Sequence, residues 1–269
     1  MTAVSMAGEI LKLKLQMQYD LKADRLRRYE AQRYELKHRI PVSYMEAIRE
    51  IVDPYVKHDE HCDSRPLNRY TVRSIYYDTQ DLRFYFEKMA SEKIRKKIRI
   101  RTYNLPEDKA PAFLEIKRKF NRLGAKERLC LPLDVVDSAV NGNDPEEIVA
   151  GRPFTERRML DRFRFNLRVH SLRPVVLVAY EREAFIGRDN ERVRVTLDQN
   201  IRSLSNPSLD QVFEDEILRQ WETDYFVLEL KFDDAMPRWM AHLIRRLNLR
   251  SHAYSKYCYG IDAWRRIPQ

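Results

Sequence analysis

Glycine is scarce in this chain: six in 269 residues, none of them clustered. That excludes the glycine-rich phosphate loops and dinucleotide fingerprints, in which a bare backbone wraps a phosphate, so any phosphate bound here is held by side chains. Cysteine is scarce too. Cys62, Cys130 and Cys258 are too few and too scattered for a disulfide framework, and no CxxC pair offers a zinc or redox motif, which fits a reducing compartment. Long apolar runs are missing. The longest, residues 175–180, is far short of the roughly 20 residues that span a bilayer, and no signal-like leader opens the chain, so a soluble, cytoplasmic protein is expected.

Charge is present in abundance. Charged residues make up 34% of the sequence, with 50 Lys and Arg against 41 Asp and Glu and a formal charge of +9. An excess of this sign points to phosphate-bearing partners and leaves nucleic acid, anionic lipid and free polyphosphate open. No RNP-like or helix-turn-helix signature favours nucleic acid. The 43% hydrophobic content supports a real core, and the length suits one large domain.

The clearest local pattern is KIRKKIRIRTY, residues 93–103. Read as a strand, it places Ile94, Ile98 and Ile100 on one face and Lys93, Arg95, Lys97, Arg99 and Arg101 on the other. Taken alone, this is the solvated face of an antiparallel sheet. The alternation recurs, however. Glu35 and Lys37, Glu115 and Lys117, and Glu229 and Lys231 each sit two apart and so share a strand face, as do Tyr180 and Arg182, Arg192 and Arg194, and Lys126 and Arg128. Opposite them stand leucine, isoleucine and valine. If helices cover the apolar faces and the sheet closes on itself, the charged faces converge on a wet tunnel that takes a polyanion, with interspersed carboxylates admitting a divalent metal.

Along the chain, strands are predicted at 33–40, 69–78, 93–103, 112–120, 126–133, 173–187, 191–197 and 226–232. Helices are predicted at 42–51, 81–89, within 135–170, at 211–221 and at 236–247. Residues 53–66 read as a polar loop, too poor in ligands for a metal site despite His58, His61 and Cys62. Residues 1–30 read as an amphipathic helical extension that packs on the domain or touches a membrane or protein partner; residues 31–269 form the domain itself.

In order, RYELK, SIYYDT, KIRIR, FLEIK with the later Lys126, YEREAF, RVRVTLD, VLELK and YSKY resemble the catalytic domain of the vacuolar transporter chaperone (VTC) family, polyphosphate polymerases of the triphosphate tunnel metalloenzyme superfamily. The resemblance implies an α+β, CYTH-like triphosphate tunnel fold: an antiparallel β-tunnel, or barrel, of about eight strands with helices packed outside. It also implies an ATP-dependent phosphotransferase that moves the terminal phosphoryl group of ATP onto a growing polyphosphate chain, with Mn²⁺ or Mg²⁺. Carried over, Lys37, Arg99, Arg101, Lys117, Lys126, Arg182, Arg194 and Lys256 grip phosphates, Tyr180 and Ser255 hydrogen-bond them, and Glu229 holds the metal. The strand faces add Lys231 and Arg73 as substrate-binding residues. Ser255 and Lys256 rest on the resemblance alone. The hydrolytic branch of the superfamily carries Glu-x-Glu-x-Lys on its first strand, and here the first of those positions is Arg33. A tunnel triphosphatase and a non-catalytic polyanion-binding module are the alternatives. The inositol-phosphate sensing domain and membrane anchor of eukaryotic members are not among the matched stretches.

Overall fold

The computed structural model describes residues 33–63, 66–104, 110–120, 123–142, 145–251 and 253–265. The predicted extension at 1–30 lies outside the described residues. The strands are β1 (Arg33–Pro41), β2 (Val56–His58), β3 (Tyr70–Asp78), β4 (Ile94–Tyr103), β5 (Pro111–Phe120), β6 (Leu123–Pro132), β7 (Arg173–Gly187), β8 (Arg194–Ser205), β9 (Arg219–Glu222) and β10 (Tyr225–Asp233). The helices are α1 (Met45–Val52), α2 (Glu60–Asp63), α3 (Arg83–Met89), α4 (Val136–Asn141), α5 (Pro145–Ile148), α6 (Phe154–Val169), α7 (Arg238–Arg246) and α8 (Lys256–Arg265).

Eight strands form one antiparallel sheet in the order β1-β10-β8-β7-β3-β4-β5-β6, with β2 added on β7 and β9 on β8. The sheet curls into a half-barrel. Its first strand comes back towards its last ones, so that Lys117 on β5 feels the charges of Glu35 and Lys37 on β1.

The period-two pattern decides which side of the curl each residue takes. Ile98, Ile100, Leu114, Ile116, Leu129 and Leu131 face outward under Met159, Leu160, Phe163 and Leu167 of α6, whose spacing makes one apolar stripe. On the other flank, Val195, Leu197, Leu228 and Leu230 face outward under Met45, Ile48 and Val52 of α1 and Met240 and Leu243 of α7. Each such side chain, wholly withdrawn from water, contributes roughly 1.5–3 kcal/mol. Between the flanks, Ile75, Leu177 and Ala179 are covered by Val212 and Leu218 from the connection between β8 and β9.

A fourth apolar cluster lies inside the curl. There α8 packs Tyr257, Cys258 and Ile261 against Tyr76, Val176, Val178 and Ile201. It is held by the buried carboxylate of Asp78, which accepts from Phe84 N and Tyr85 N at 2.9 and 3.0 Å and from the Tyr257 hydroxyl. Gly260 permits the close approach, since a Cβ there would meet Val178 Cγ2 at 2.9 Å and Val176 Cγ2 at 3.3 Å. Gly260→Val should therefore overpack the contact by about 1–3 kcal/mol, lowering the melting temperature and displacing Ser255 and Lys256 at the head of the helix. An unchanged melting temperature in a thermal scan would contradict this packing.

The predicted helix at 211–221 is replaced by two short 3₁₀ turns, Asp210–Phe213 and Asp215–Ile217, followed by β9. Val212 and Leu218, the buried residues, are six apart and cannot share a helical stripe, while Gln220 and Glu222 pair with β8. The C-terminal stretch, which has no clear apolar period, forms α8. The loop at 53–66 contains β2 and α2.

Candidate functional site

The inner face is charged because the alternation of β1, β10, β8, β7, β4, β5 and β6 turns polar side chains into the curl. Its groups fall into two clusters, each built round buried carboxylates. In the first, Glu229, 4% exposed, faces Lys231 Nζ at 2.9 Å, Lys37 Nζ at 3.2 Å, Lys256 Nζ at 3.4 Å and Arg182 at 3.6 Å. Asp198, with no exposed surface, accepts two bonds from Arg182 at 2.6 and 2.7 Å and one from Lys256 at 2.5 Å. Glu35 adds a contact to Lys37 at 3.0 Å. Burial alone pushes carboxylates up, but here the surrounding ammonium and guanidinium groups win, and Glu229, Asp198 and Glu35 are all held below the usual carboxylate range. Lys37 and Lys256 are raised in turn, their burial outweighed by these same partners.

The second cluster surrounds Glu115, also without exposed surface. It accepts from Arg99 Nε at 2.6 Å and forms an ion pair with Lys126 Nζ at 2.5 Å, and Arg128 stands 3.5 Å away. Arg99 also donates to the Tyr76 hydroxyl at 3.1 Å. Burial would raise that phenol, but Arg99, Arg101 and Lys97 lower it to about 8.

Between the clusters stand three cations with no carboxylate partner among the described residues. Lys97 donates to Ser255 Oγ at 2.9 Å, Arg101 donates to Ser74 Oγ at 3.0 Å, and Lys117 projects beside them. Lys97 is lowered to about 8, chiefly by burial. Lys117 is pushed well below its ordinary value by the charge of Arg99 and then by burial. Lys126 comes down to about 8 through burial, which Glu115 only partly offsets. A surface that strips protons from its own lysines is one that an arriving anion would relieve.

The sign of the pH dependence follows. Lys97, Lys126 and Tyr76 hold fewer protons folded than unfolded above about pH 8, so stability of the empty protein should rise between about pH 8 and 9.5. Cys258 and Tyr70, Tyr77, Tyr85, Tyr254 and Tyr257, whose thiol and hydroxyls burial raises, oppose this in part, most towards the upper end of the interval. Bound triphosphate returns protons to the lysines, so its affinity should fall over the same interval. Denaturant titrations at both pH values, with and without tripolyphosphate, would show opposite slopes; parallel slopes would contradict the arrangement.

The structure thus brings together Lys37, Lys231, Lys256, Arg182 and Glu229, with the Tyr180 ring between Arg182 and Lys256 (5.3 and 4.7 Å to its centroid). It also brings together Arg99, Arg101, Lys117, Lys126 and Ser255. Arg194 shares the register of Lys231 but gives its guanidinium to Asp59 at the rim. Arg73 is corrected outright. Its neighbours Ser74 and Tyr76 face Arg101 and Arg99 inside, so Arg73 points outward, 1% exposed, where it pairs with Asp215 at 2.7 and 2.8 Å and donates to Asn104 O at 2.8 Å. Residues not singled out from the sequence as site members are Lys97, Glu115, Arg128, Asp198 and Tyr76. The two-residue period that marked Arg99, Lys117 and Lys126 would have found the first three, and Asp198 lies four residues after Arg194 on the same face.

A divalent metal has a limited donor set here. Among the described residues no three His, Cys, Asp or Glu side chains converge, and both oxygens of Glu229 already face cations. Glu229 and Glu35, which share Lys37, fit a metal only in company with the oxygens of a triphosphate that draws the lysines aside.

Among solved structures, the chain is similar to a putative adenylyl cyclase from Hippeastrum described as having a dominant triphosphatase activity (TM-score 0.45, 13% identity, 87% of this chain and 97% of that one). Another is the PH1819 protein of Pyrococcus horikoshii OT3 (TM-score 0.44, 12% identity, 86% and 99%). Among curated proteins, subunit 4 of the vacuolar transporter chaperone complex of Schizosaccharomyces pombe is 25% identical over 231 residues, which is 71% of this chain but only 31% of the relative's length. No helix of the described residues is long and apolar enough to cross a membrane. The VTC domain model matches residues 32–265, the whole of the curled sheet and its helices, and the chain belongs to that family.

Proposed function

We propose that this domain is a polyphosphate polymerase that transfers the terminal phosphoryl group of ATP to the end of an inorganic polyphosphate chain. One observation carries the reading: on an inner face where carboxylates pair with their neighbouring cations, Lys97, Arg101 and Lys117 have no carboxylate partner among the described residues and each stands against the charge of Arg99. Phosphoryl transfer needs little covalent chemistry from the protein and much positioning of charge. Lys97, Arg101 and Lys117 would take the donor phosphates. Arg99 and Lys126 on one side, and Lys37, Lys231, Arg182 and Lys256 on the other, would swing from their carboxylates to flank the reacting oxygens. Ser255 and Tyr180 would orient them. Glu229 and Glu35 would hold a Mn²⁺ or Mg²⁺ ion, which would supply charge neutralisation on the phosphate oxygens.

Transfer to phosphate is favoured over hydrolysis by the chemistry of the acceptor: water needs a base to become a nucleophile, whereas Glu35, Glu115, Asp198 and Glu229 are each engaged with cations in the inner face. A phosphate terminus is already anionic and needs no base. Incubation of the purified protein with ATP and Mn²⁺, followed by a gel that resolves polyphosphate, should show ADP and a ladder of chains. ADP and orthophosphate alone at every time point would instead establish the tunnel triphosphatase.

A further inference from the structure

Beyond Arg101 the inner face changes character. At the edge of the curl where β3 begins, β4 ends and β5 begins, it carries Tyr70, Tyr103 and Phe113, all half-buried. The rings meet edge to face, Tyr70 with Tyr103 at 5.9 Å and Tyr103 with Phe113 at 5.7 Å between centroids. Phe113 is the register partner of Arg101 itself. Over Phe113 lies the guanidinium of Arg128, 3.4 Å from the ring centroid, fixed by Tyr103 Oη at 3.3 Å and by Glu115 at 3.5 Å. Arg128 keeps 39% of its side chain exposed, so part of this flat cation is open to solvent and to a ligand.

Inorganic triphosphate has no use for such a surface. Phosphates are recognised by donors and charge, whereas a planar guanidinium backed by an aromatic ring, with two tyrosines at its side, matches the π-face of a base. We propose that the Tyr70, Tyr103, Phe113 and Arg128 cluster is the nucleobase platform of the donor site, so that the triphosphate of a nucleotide lies on Arg101, Lys97 and Lys117 while its base stacks at this edge. The inference rests on the tunnel reading above, which already takes ATP as donor, and adds to it a base subsite and a direction: the nucleoside lies at the Tyr103 edge and the terminal phosphate points towards Ser255 and Lys256. Stacking reads the size of the π-face and not the edge pattern. Purine nucleotides are therefore taken with little discrimination between adenine and guanine, and uracil binds more weakly.

The test compares ligands of equal charge. Calorimetry of the wild-type protein with ATP and with ribose 5-triphosphate, which lacks only the base, should give roughly ten-fold tighter binding of ATP. Phe113→Leu and Tyr103→Leu should each narrow that gap to less than about three-fold while leaving tripolyphosphate affinity within two-fold. Equal wild-type affinities for ATP and ribose 5-triphosphate overturn the platform, as does a fall in tripolyphosphate affinity matching the fall for ATP. The wild-type comparison stands even if a variant fails to fold. Failure of tripolyphosphate to bind at all would refute the tunnel reading itself, and the platform with it, which separates the two errors.

Discussion

Replacing Lys117 with methionine is expected to raise the melting temperature of the empty protein while cutting its affinity for tripolyphosphate by about two orders of magnitude. The side chain keeps its reach and loses its charge. In the empty site that charge stands against Arg99, Lys37 and Arg101 with only Glu35 in its favour. Its removal relieves that repulsion, part of which the empty site already meets by releasing the lysine's proton. With an anion bound the amine is charged again, and a missing cation costs about 3 kcal/mol of binding, the two orders of magnitude expected. Arg99→Met removes the same formal charge from the adjacent strand but should do the opposite to stability. Arg99 satisfies Glu115, which has no exposed surface, and taking one partner from a buried ion pair costs about 3–5 kcal/mol. Thermal melts and tripolyphosphate titrations of the two variants decide the matter. If Lys117→Met melts lower and binds as tightly as wild type, these cations are structural and the anion site lies elsewhere.

That contrast also shows where sequence reading stops. The two-residue period separates Arg99 and Arg101 from Ile98 and Ile100 on β4 without help, because one face is wholly apolar and needs a helix to cover it. It says nothing about which charged neighbour across the sheet satisfies which cation. Arg99 and Arg101 look alike in the sequence, yet register gives one a buried carboxylate and the other a serine hydroxyl. On β3 the rule fails in another way. Both faces mix polar and apolar residues, so alternation pairs Arg73 with Thr71 but does not tell inside from outside; only the pairing of Ser74 with Arg101 does.

The helical elements were legible where an apolar stripe had a single period, as in α6 and α7. They were not legible in α8. Its tyrosines and cysteine make contact on several sides because the helix sits within the curl, wedged on Gly260, and a helix enclosed on more than one face has no stripe to read. The same geometry explains why Ser255 and Lys256 could be placed only by resemblance. They reach the site from the end of a helix rather than from a strand face.

Glu229→Gln should have the largest effect on turnover, reducing it by orders of magnitude and removing the response of nucleotide affinity to Mn²⁺. The carboxylate has two separable roles. As a counterion it holds Lys37, Lys231, Lys256 and Arg182 within 3.6 Å, and its loss leaves Asp198 and Glu35 to satisfy all four. That role predicts a fall in stability of about 3 kcal/mol, together with metal-free tripolyphosphate binding as tight as wild type or tighter, since the site becomes more positive. As the metal ligand proposed above it would supply one of two carboxylates available to an ion that arrives with phosphate, and an amide oxygen would be a poor substitute in so sparse a site. The counterion role alone would leave turnover and the Mn²⁺ response largely intact. Calorimetric titration of the variant with a non-hydrolysable triphosphate, with and without Mn²⁺, separates the roles. Loss of the difference between the two curves, with metal-free binding preserved, assigns Glu229 to the metal. Curves that both match wild type confine it to holding its four cations in place, and the metal must then be carried by the phosphates alone.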